Sequence, residues 1–371
     1  MESKKHSVSH FSINYLKKSG QNENFFFSPA SIFLSLSMAA CGSEQQTLKE
    51  FKDVLNYQNN IELGQLIHSL NSLLTSSSQE FSVLSANKIY TGVSGMTQNC
   101  KQFIENNLNG GFEQVNFKEA ESVRVSINKW VSIQTSTKID ELLKKDMISA
   151  QTKMILINAL YLKAEWLYQF EVAQDRKFYL QPGKEESIVF TKMMYKEAEY
   201  KYGKFDHFEY IQLPFKNEAY AMEILLPITN LNDLENSITD EQIIKAQRSS
   251  KKTDVRLLLP KFKMGGTSQS VVSILQQLGI QDAFTNQANF KQFSQTEELL
   301  ISNVIHSANI EVNEKGTEAV AATVIMAKKQ CISLKKYQEF FCNKPFIFTI
   351  SHIPSNTILF LGRFCVPVKQ E

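Results

Sequence analysis

The sequence predicts an α+β protein that forms a single domain. In the first half of the chain, apolar residues recur at three- and four-residue intervals, a pattern typical of amphipathic helices. From about residue 153, short apolar or alternating runs bounded by proline, asparagine or charge favour strands instead. No internal repeat and no linker rich in proline, glycine or serine divides the 371 residues. We therefore expect helices packed on a large sheet system in one unit.

The N-terminal helices are predicted from periodicity and capping. Val8, Phe11 and Tyr15 share one face of a first helix. Ser28 is a suitable N-cap, and the proline after it suits the first helical position. The dense apolar content of residues 28–40 indicates that this second helix is buried. Further amphipathic helices are expected over residues 47–55, 61–74 and 121–137.

The strands are predicted from apolar runs in the second half. Each run is short and ends at a residue type that is uncommon inside strands. The predicted strands cover residues 154–164, 208–215, 220–227, 254–262, 346–352 and 357–364.

Composition excludes several classes of partner and location. Forty Lys and Arg against 38 Asp and Glu leave a net charge of +2, so no global field attracts nucleic acid or an anionic membrane. The longest apolar runs are shorter than the roughly 20 residues of a membrane-spanning helix. The N-terminus lacks the apolar block of a signal peptide, so a cytoplasmic protein, or one released to the extracellular space without a leader, is expected. Five cysteines without metal-like spacing indicate no disulfide framework.

A search for catalytic and ligand-binding motifs finds little. The chain has no phosphate-binding loop, dinucleotide fingerprint, nucleophile elbow or zinc-protease motif, so no cofactor and no metal are expected. His6 and His10 have the spacing of helical metal ligands but lack a third ligand, and a surface helix explains them. A hydrolase using Cys331 as nucleophile is an alternative, although a free thiol without a catalytic role explains this residue more simply.

Residues 311–331, EVNEKGTEAVAATVIMAKKQC, carry the strongest functional signal. If this segment is extended, Thr317, Ala319 and Ala321 lie on one small, uncharged face. Such a face suits a strand that enters between two existing strands. Gly316 precedes the run and could provide a hinge with backbone angles that other residues avoid. An ordinary edge strand or flexible loop is the alternative interpretation of the segment alone.

Five further motifs flank or overlap this segment: FFFSPASI (25–32), NALYLKAEW (158–166), LPKF (259–262), NVIHSANIEVNEKGTEA (303–319) and FFCNKPFIFTI (340–350). Together they resemble the serpins, the serine-protease-inhibitor fold proteins, from about residue 8 to 367. The short N-terminus resembles the intracellular, ovalbumin-like branch of that family. The resemblance implies one domain over 1–371 with three β-sheets, eight or nine α-helices and an exposed reactive loop at about 314–340.

The resemblance also implies a mechanism and a class of partner. A target serine protease would cleave the loop and form an acyl-enzyme. It would then be trapped as residues from about 317 to 329 insert into the central sheet. The protein would be a suicide-substrate inhibitor rather than an enzyme, and a monomer that forms loop–sheet polymers when destabilised. The alternative within the fold is a non-inhibitory chaperone or carrier. The absence of bulky or proline residues from the hinge favours the inhibitor.

Three groups of site residues are implied by motif position. The hinge is Glu314, Lys315, Gly316, Thr317, Ala319, Ala321 and Ala322; the breach, where insertion begins, is Trp166, Lys261 and Glu314; and the shutter, where the central strands part, is Ser28, Ser31, Asn158 and His306. The alternative to a shutter is a static polar core, and the alternative to a breach is a surface salt bridge.

The scissile bond is implied less sharply. The family count places the residue before it sixteen positions after Glu314, at Gln330, with Cys331 next. Cleavage after Lys328 or Lys329 would suit a trypsin-like enzyme, which is the favoured target, with a cysteine protease as a second class of partner. The two lysines could equally be a solvated loop tip. The span of residues 331–345 is longer than in many family members, which blurs the count.

Overall fold

The computed structural model describes residues 7–107, 111–181, 184–266, 268–317 and 336–367. Within these ranges the predicted α+β class is confirmed, with nine α-helices and fifteen strands. The helices are α1 (Ser7–Lys18), α2 (Pro29–Gly42), α3 (Gln45–Leu55), α4 (Asn60–Leu74), α5 (Gln98–Asn107), α6 (Ala120–Gln134), α7 (Leu231–Ser237), α8 (Asp240–Ser249) and α9 (Val272–Leu278). The strands are β1 (Phe25–Phe27), β2 (Phe81–Thr91), β3 (Phe112–Gln114), β4 (Met154–Ala164), β5 (Glu171–Tyr179), β6 (Ile188–Lys204), β7 (Phe208–Pro214), β8 (Tyr220–Pro227), β9 (Lys251–Pro260), β10 (Phe262–Met264), β11 (Gln269–Ser270), β12 (Ile301–Val312), β13 (Gln338–Phe341), β14 (Phe346–His352) and β15 (Thr357–Phe364).

The described strands form two hydrogen-bonded sheets. The larger has nine strands in the order β1-β15-β14-β8-β7-β6-β9-β13, with β5 also paired to β6. Strand β6 spans 17 residues, pairs with β5 at its start and with β7 at its end, and so belongs to both halves of this sheet. The described strands thus form two hydrogen-bonded sheets where three were predicted, because the long strand β6 joins its neighbours at both ends into one sheet.

The smaller sheet has six strands in the order β10-β12-β4-β2-β3, with β11 also paired to β12. Strand β4 runs antiparallel to β2 and parallel to β12. We call the β4–β12 junction the seam. Parallel strands form slanted hydrogen bonds and pair slightly less stably per residue than antiparallel ones. The β2–β3 pair is also parallel but covers only three residue pairs, so the seam is the longer parallel junction of this sheet and the one where an antiparallel strand between the two would gain more.

The elements with the clearest sequence signals lie where predicted. Ser28 caps α2 by accepting a hydrogen bond from the N–H of Ser31, and α2 is buried along almost its whole length because it contacts both sheets. Strands β4, β8, β14 and β15 match the predicted runs, since strands covered on both faces are continuously apolar. Within the described ranges, no helix combines the length and apolar character that crossing a lipid bilayer requires.

The sequence missed strands whose residues are polar or irregularly buried. Strand β2 lies in the half expected to be mainly helical, and its buried positions do not alternate. Strand β5 is exposed over most of its length and rich in charge, so it gives no apolar run. His10, on the exposed face of α1, approaches Asp240 with its Nδ1 3.5 Å from the carboxylate, as expected for a surface helix.

A buried ion pair joins the C-terminal strand to α7. The side chains of Arg363 and Glu235 are each 1% exposed, and the guanidinium donates to the carboxylate. Arg363 also donates to the carbonyl oxygens of Gly20 and Glu23, at 2.7 and 2.8 Å. Burial raises the pKa of Glu235, although the charge of Arg363 opposes this effect. Removal of one partner would leave a buried charge without compensation.

We predict that Arg363→Met lowers the free energy of unfolding by about 3–5 kcal/mol, because Glu235 then stays buried and unpaired. The double variant with Glu235→Leu should regain most of this loss. Urea denaturation followed by circular dichroism measures both. Lys192→Met is the control, since its pair with Asp175 is exposed and should contribute under about 1 kcal/mol. Equal losses in the single and double variants would contradict the account.

Candidate functional site

The four predicted shutter residues meet at the middle of the seam. Asn158 on β4 and His306 on β12 are register partners across it. Ser28 and Ser31 approach from the start of α2, and all four side chains are buried. We call these four residues the seam cluster. A buried polar group is costly unless it is hydrogen-bonded, so the partners of each member matter.

Hydrogen bonds of the seam cluster cross between elements. The backbone N–H of Ser28 donates to His306 Nε2 at 3.1 Å, and the Ser28 hydroxyl donates to the carbonyl of Leu359 at 2.7 Å. Asn158 Nδ2 donates to the carbonyl of Ile305 at 3.3 Å, which adds a side-chain bond across the seam. Helix α2 therefore touches β4, β12 and β15 through this one cluster.

Two members of this network were missed from the sequence. The hydroxyl of Ser31 donates to Asn87 Oδ1 on β2 and lies 3.4 Å from Asn158 Oδ1. Ser35, one turn further along α2, donates to the same Asn158 oxygen. The spacing of four residues between the two serines was a usable signal for Ser35. Asn87 could not be found because its strand was not predicted.

His306 is neutral in this environment. Burial lowers its pKa from 6.5 to about 3. Because Nε2 accepts a hydrogen bond, the proton belongs on Nδ1, which has no partner among the described residues. Protonation of Nε2 would break the bond from Ser28. The imidazole is therefore a structural acceptor at ordinary pH.

The three predicted breach residues meet at one end of the seam, beyond the last residues of β4 and β12. Lys261 Nζ lies 3.2 Å from Glu314 Oε2. The buried indole of Trp166 donates from Nε1 to the carbonyl of Asn313 at 2.8 Å, and stacks on Phe215 with ring centroids 4.8 Å apart. Trp166 therefore fixes the backbone next to Glu314, whereas Lys261 contacts the Glu314 carboxylate itself.

Glu314 accepts a backbone hydrogen bond in addition to forming the salt bridge. Its Oε1 accepts from the backbone N–H of Ala173 at 3.2 Å. Burial by itself would raise its pKa, but backbone N–H donors and Lys261 outweigh burial, and the pKa is lowered. The carboxylate therefore ties the chain leaving β12 both to β5 and to the residue after β9.

The described hinge residues already contact the end of β4. The N–H of Trp166 donates to the carbonyl of Lys315 at 2.9 Å, and the N–H of Thr317 donates to the carbonyl of Ala164 at 2.7 Å. Thr317 is fully buried. The chain after β12 thus turns back and lies against the neighbouring strand of the seam.

The conformation of Gly316 differs from the predicted hinge. Its backbone is not in the left-handed region expected for a hinge glycine, since the described glycines with positive φ lie elsewhere. Instead, a Cβ at this position would lie 1.9 Å from the carbonyl oxygen of Ala164. Gly316 is needed for close approach between backbones, and the isolated bridge between Gly316 and Glu165 shows that approach.

The rest of the predicted loop lies outside the described residues. No group of three or more His, Cys, Asp or Glu in the described ranges is arranged to hold a metal ion. The calls that fall outside are the hinge residues Ala319, Ala321 and Ala322 and the scissile-bond candidates Lys328, Lys329, Gln330 and Cys331.

The pKa of His306 predicts a specific acid sensitivity. His306 binds a proton below about pH 6.5 in the unfolded state but only below about pH 3 in the native state. Stability should therefore fall as the pH drops through this window. His306→Gln keeps an acceptor for Ser28 but does not titrate, so its melting temperature should depend less on pH between about 6.5 and 5. His68→Gln, at an exposed position, should follow the parent curve; parallel curves for all three proteins would refute the role of His306.

Comparisons with known proteins agree on one family. A family model described as "Serpin (serine protease inhibitor)" matches residues 6–367. Serpin B8 of Homo sapiens is 32% identical over 369 residues, covering 96% of this chain and 97% of that relative. Leukocyte elastase inhibitor of Bos taurus is 32% identical over 358 residues, covering 93% of each. The crystal structure of uncleaved ovalbumin has a TM-score of 0.85 at 26% identity, covering 98% of this chain and 100% of that chain.

These likenesses confirm the family that the motifs indicated and the ovalbumin-like branch that the N-terminus indicated. They also place the protein among inhibitors of proteases rather than among enzymes, so a protease is the class of partner that they support. The chain therefore belongs to the serpin family of serine protease inhibitors.

Proposed function

We propose that this protein inhibits serine proteases as a suicide substrate, with residues from about 317 to 329 inserting into the seam after cleavage. One observation carries the proposal: Thr317 already donates its N–H to Ala164 at the end of β4, although it follows β12 in the chain. The segment that follows β12 therefore starts at the end of β4 and runs in the direction that insertion requires.

The topology explains why insertion would be favourable. A segment that leaves β12 and turns back runs antiparallel to β12, and also to β4 because those two strands are parallel. Insertion would replace one parallel pairing with two antiparallel ones. About a dozen new backbone hydrogen bonds at roughly 1 kcal/mol each could supply on the order of 10 kcal/mol. A gain of this size rivals the whole stability of a typical domain.

The seam cluster fits the role of a shutter. Its hydroxyls and amides can exchange partners when the strands part, whereas interlocked apolar side chains would leave a cavity. Lys261, Glu314 and Trp166 fit the role of a breach, because they fix the hinge at the end of the seam where the loop would enter. A static polar core would show the same contacts but would not open.

The favoured target is a trypsin-like protease, because Lys328 and Lys329 precede the counted scissile bond. An elastase-like enzyme is the second candidate, since one relative is named leukocyte elastase inhibitor. We place the activity in the cytoplasm rather than the extracellular space. The likeness to serpins of the B branch and the four free cysteines among the described residues support a cytoplasmic location.

The direct experiment is incubation with trypsin, chymotrypsin, elastase and a cysteine protease. We expect an SDS-stable complex with trypsin, and mass spectrometry of the released C-terminal peptide will identify the scissile bond. A complex with elastase instead would keep the mechanism and change the target. Cleavage without a complex and without a gain in thermal stability would exclude insertion and favour a non-inhibitory serpin.

Thr317→Arg should convert the inhibitor into a substrate. Thr317 is fully buried at the start of the proposed insertion, and an arginine there would have to enter the sheet with its charge. We expect cleavage at an unchanged rate with at least a tenfold rise in the number of inhibitor molecules consumed per protease trapped. Thr285→Arg, at an exposed position, is the control. An unchanged stoichiometry for Thr317→Arg would show that this residue does not insert.

Glu314→Lys should release the hinge. The change removes the acceptor for Lys261 and Ala173 and places two cations together. We expect faster conversion to polymers or to a latent form on mild heating, measured as loss of monomer by size-exclusion chromatography. The double variant Glu314→Lys/Lys261→Glu restores opposite charges and should regain part of the monomer. A monomer fraction equal to that of the parent protein would count against the breach.

A further inference from the structure

Two cysteines that are distant in sequence lie side by side in the fold. Cys41 is in the last turn of α2 and Cys100 is in the first turn of α5, and their sulfur atoms are 3.7 Å apart. Both are free thiols. A disulfide needs its sulfurs at about 2.05 Å, so the two atoms must approach by only roughly 1.7 Å. The pair plays no part in the seam cluster or the hinge.

We propose that Cys41 and Cys100 are a modification site that forms a reversible disulfide and restrains opening of the seam. The second part rests on the proposed function. Cys100 is buried and Cys41 is half-buried, so a small oxidant such as hydrogen peroxide suits the site better than a bulky one.

The local contacts assign a role to each thiol. Cys100 lies in the first turn of α5, where its backbone N–H donates to the hydroxyl of Thr97 at 3.4 Å. The single S–H of Cys41 is within hydrogen-bond reach of both the carbonyl of Met38 and the sulfur of Cys100. The hydrogen bond to Cys100, together with burial, raises the pKa of Cys41. Because the raised pKa keeps Cys41 protonated, Cys100 is the attacking sulfur and Cys41 the resolving one.

The reaction balances with peroxide as oxidant. The thiolate of Cys100 attacks one peroxide oxygen, the O–O bond breaks, and a sulfenic acid and hydroxide form. The sulfur of Cys41 then attacks the sulfenic sulfur, the S–O bond breaks, and the thiol proton leaves with the hydroxyl as water. The hydroxide takes up the proton that Cys100 had released. Overall, two thiols and one peroxide give one disulfide and two waters, and a dithiol reductant reverses the bond.

The connection of α5 to the sheet explains the restraint. Helix α5 leads along the chain to β3, which pairs with β2, and β2 pairs with β4. Helix α2 contacts both sides of the seam through Ser28, Ser31 and Ser35. Opening the seam must therefore move the β4 side past α2. A covalent bond between α2 and α5 opposes that movement and also closes a long loop in the unfolded chain.

The test uses the full chain, reduced and then treated with hydrogen peroxide, blocked with N-ethylmaleimide and digested without reduction. We expect a cross-linked peptide pair containing Cys41 and Cys100, lighter by two hydrogen atoms and separated by dithiothreitol. Cys41→Ser and Cys100→Ser should each lose it, and Cys365→Ser should keep it. Blocked thiols at both positions, sulfinic acid at one of them, or a cross-link to another cysteine would overturn the site.

The restraint has its own readouts. Oxidation should raise the melting temperature of the parent protein by several degrees, slow amide exchange in β4, and lower the rate of protease trapping several-fold, all reversed by dithiothreitol. The two serine variants should not respond. A disulfide that changes neither exchange in β4 nor trapping would overturn the restraint. A protein that traps no protease in either redox state would refute the proposed function, while mass spectrometry and exchange would still decide the disulfide and the restraint.

Discussion

The parallel pairing of β4 with β12 is the constraint on which the rest of the account depends. Two parallel neighbours in an otherwise largely antiparallel sheet leave a position that a strand of the opposite direction would fill with better hydrogen bonds. The chain immediately after β12 is in place to provide that strand, since Thr317 already contacts Ala164. Under the proposed function, the native fold contains the start of a more stable arrangement, in which this segment is a strand of the sheet.

The side chains at the seam suit both arrangements. Asn158 and His306 are register partners at buried positions of the sheet; the hydroxyl of Ser35 donates to Asn158, and the backbone N–H of Ser28 donates to His306. Full burial makes each unsatisfied group costly, so the closed seam is held firmly. Hydroxyl and amide groups can also find new partners without leaving a cavity. The proposed opening of the sheet therefore gives a reason for a polar cluster in the core. A static sheet would not require one.

The sequence was most informative where burial is continuous or a cap is local. Strands β4, β8, β14 and β15 and the start of α2 could be read from apolar runs and from Ser28. Exposed strand β5 could not, because its charged residues hide its pairing with β6. Motif resemblance placed Asn158 and His306, and the spacing from Ser31 was a signal for Ser35, but Asn87 and the role of Gly316 depend on packing between distant elements. The contact between Cys41 and Cys100, 59 residues apart, likewise had no sequence signal.

A crystal structure of the protein after cleavage in the loop tests the central claim most directly. The account predicts a new strand between β4 and β12, so that Asn158 and His306, now register partners, move from about 4.8 Å strand spacing to about 10 Å. It also predicts that α2 keeps its place while its serine hydroxyls change partners. A cleaved protein in which β4 and β12 still pair directly, with the loop in solvent, would contradict the account.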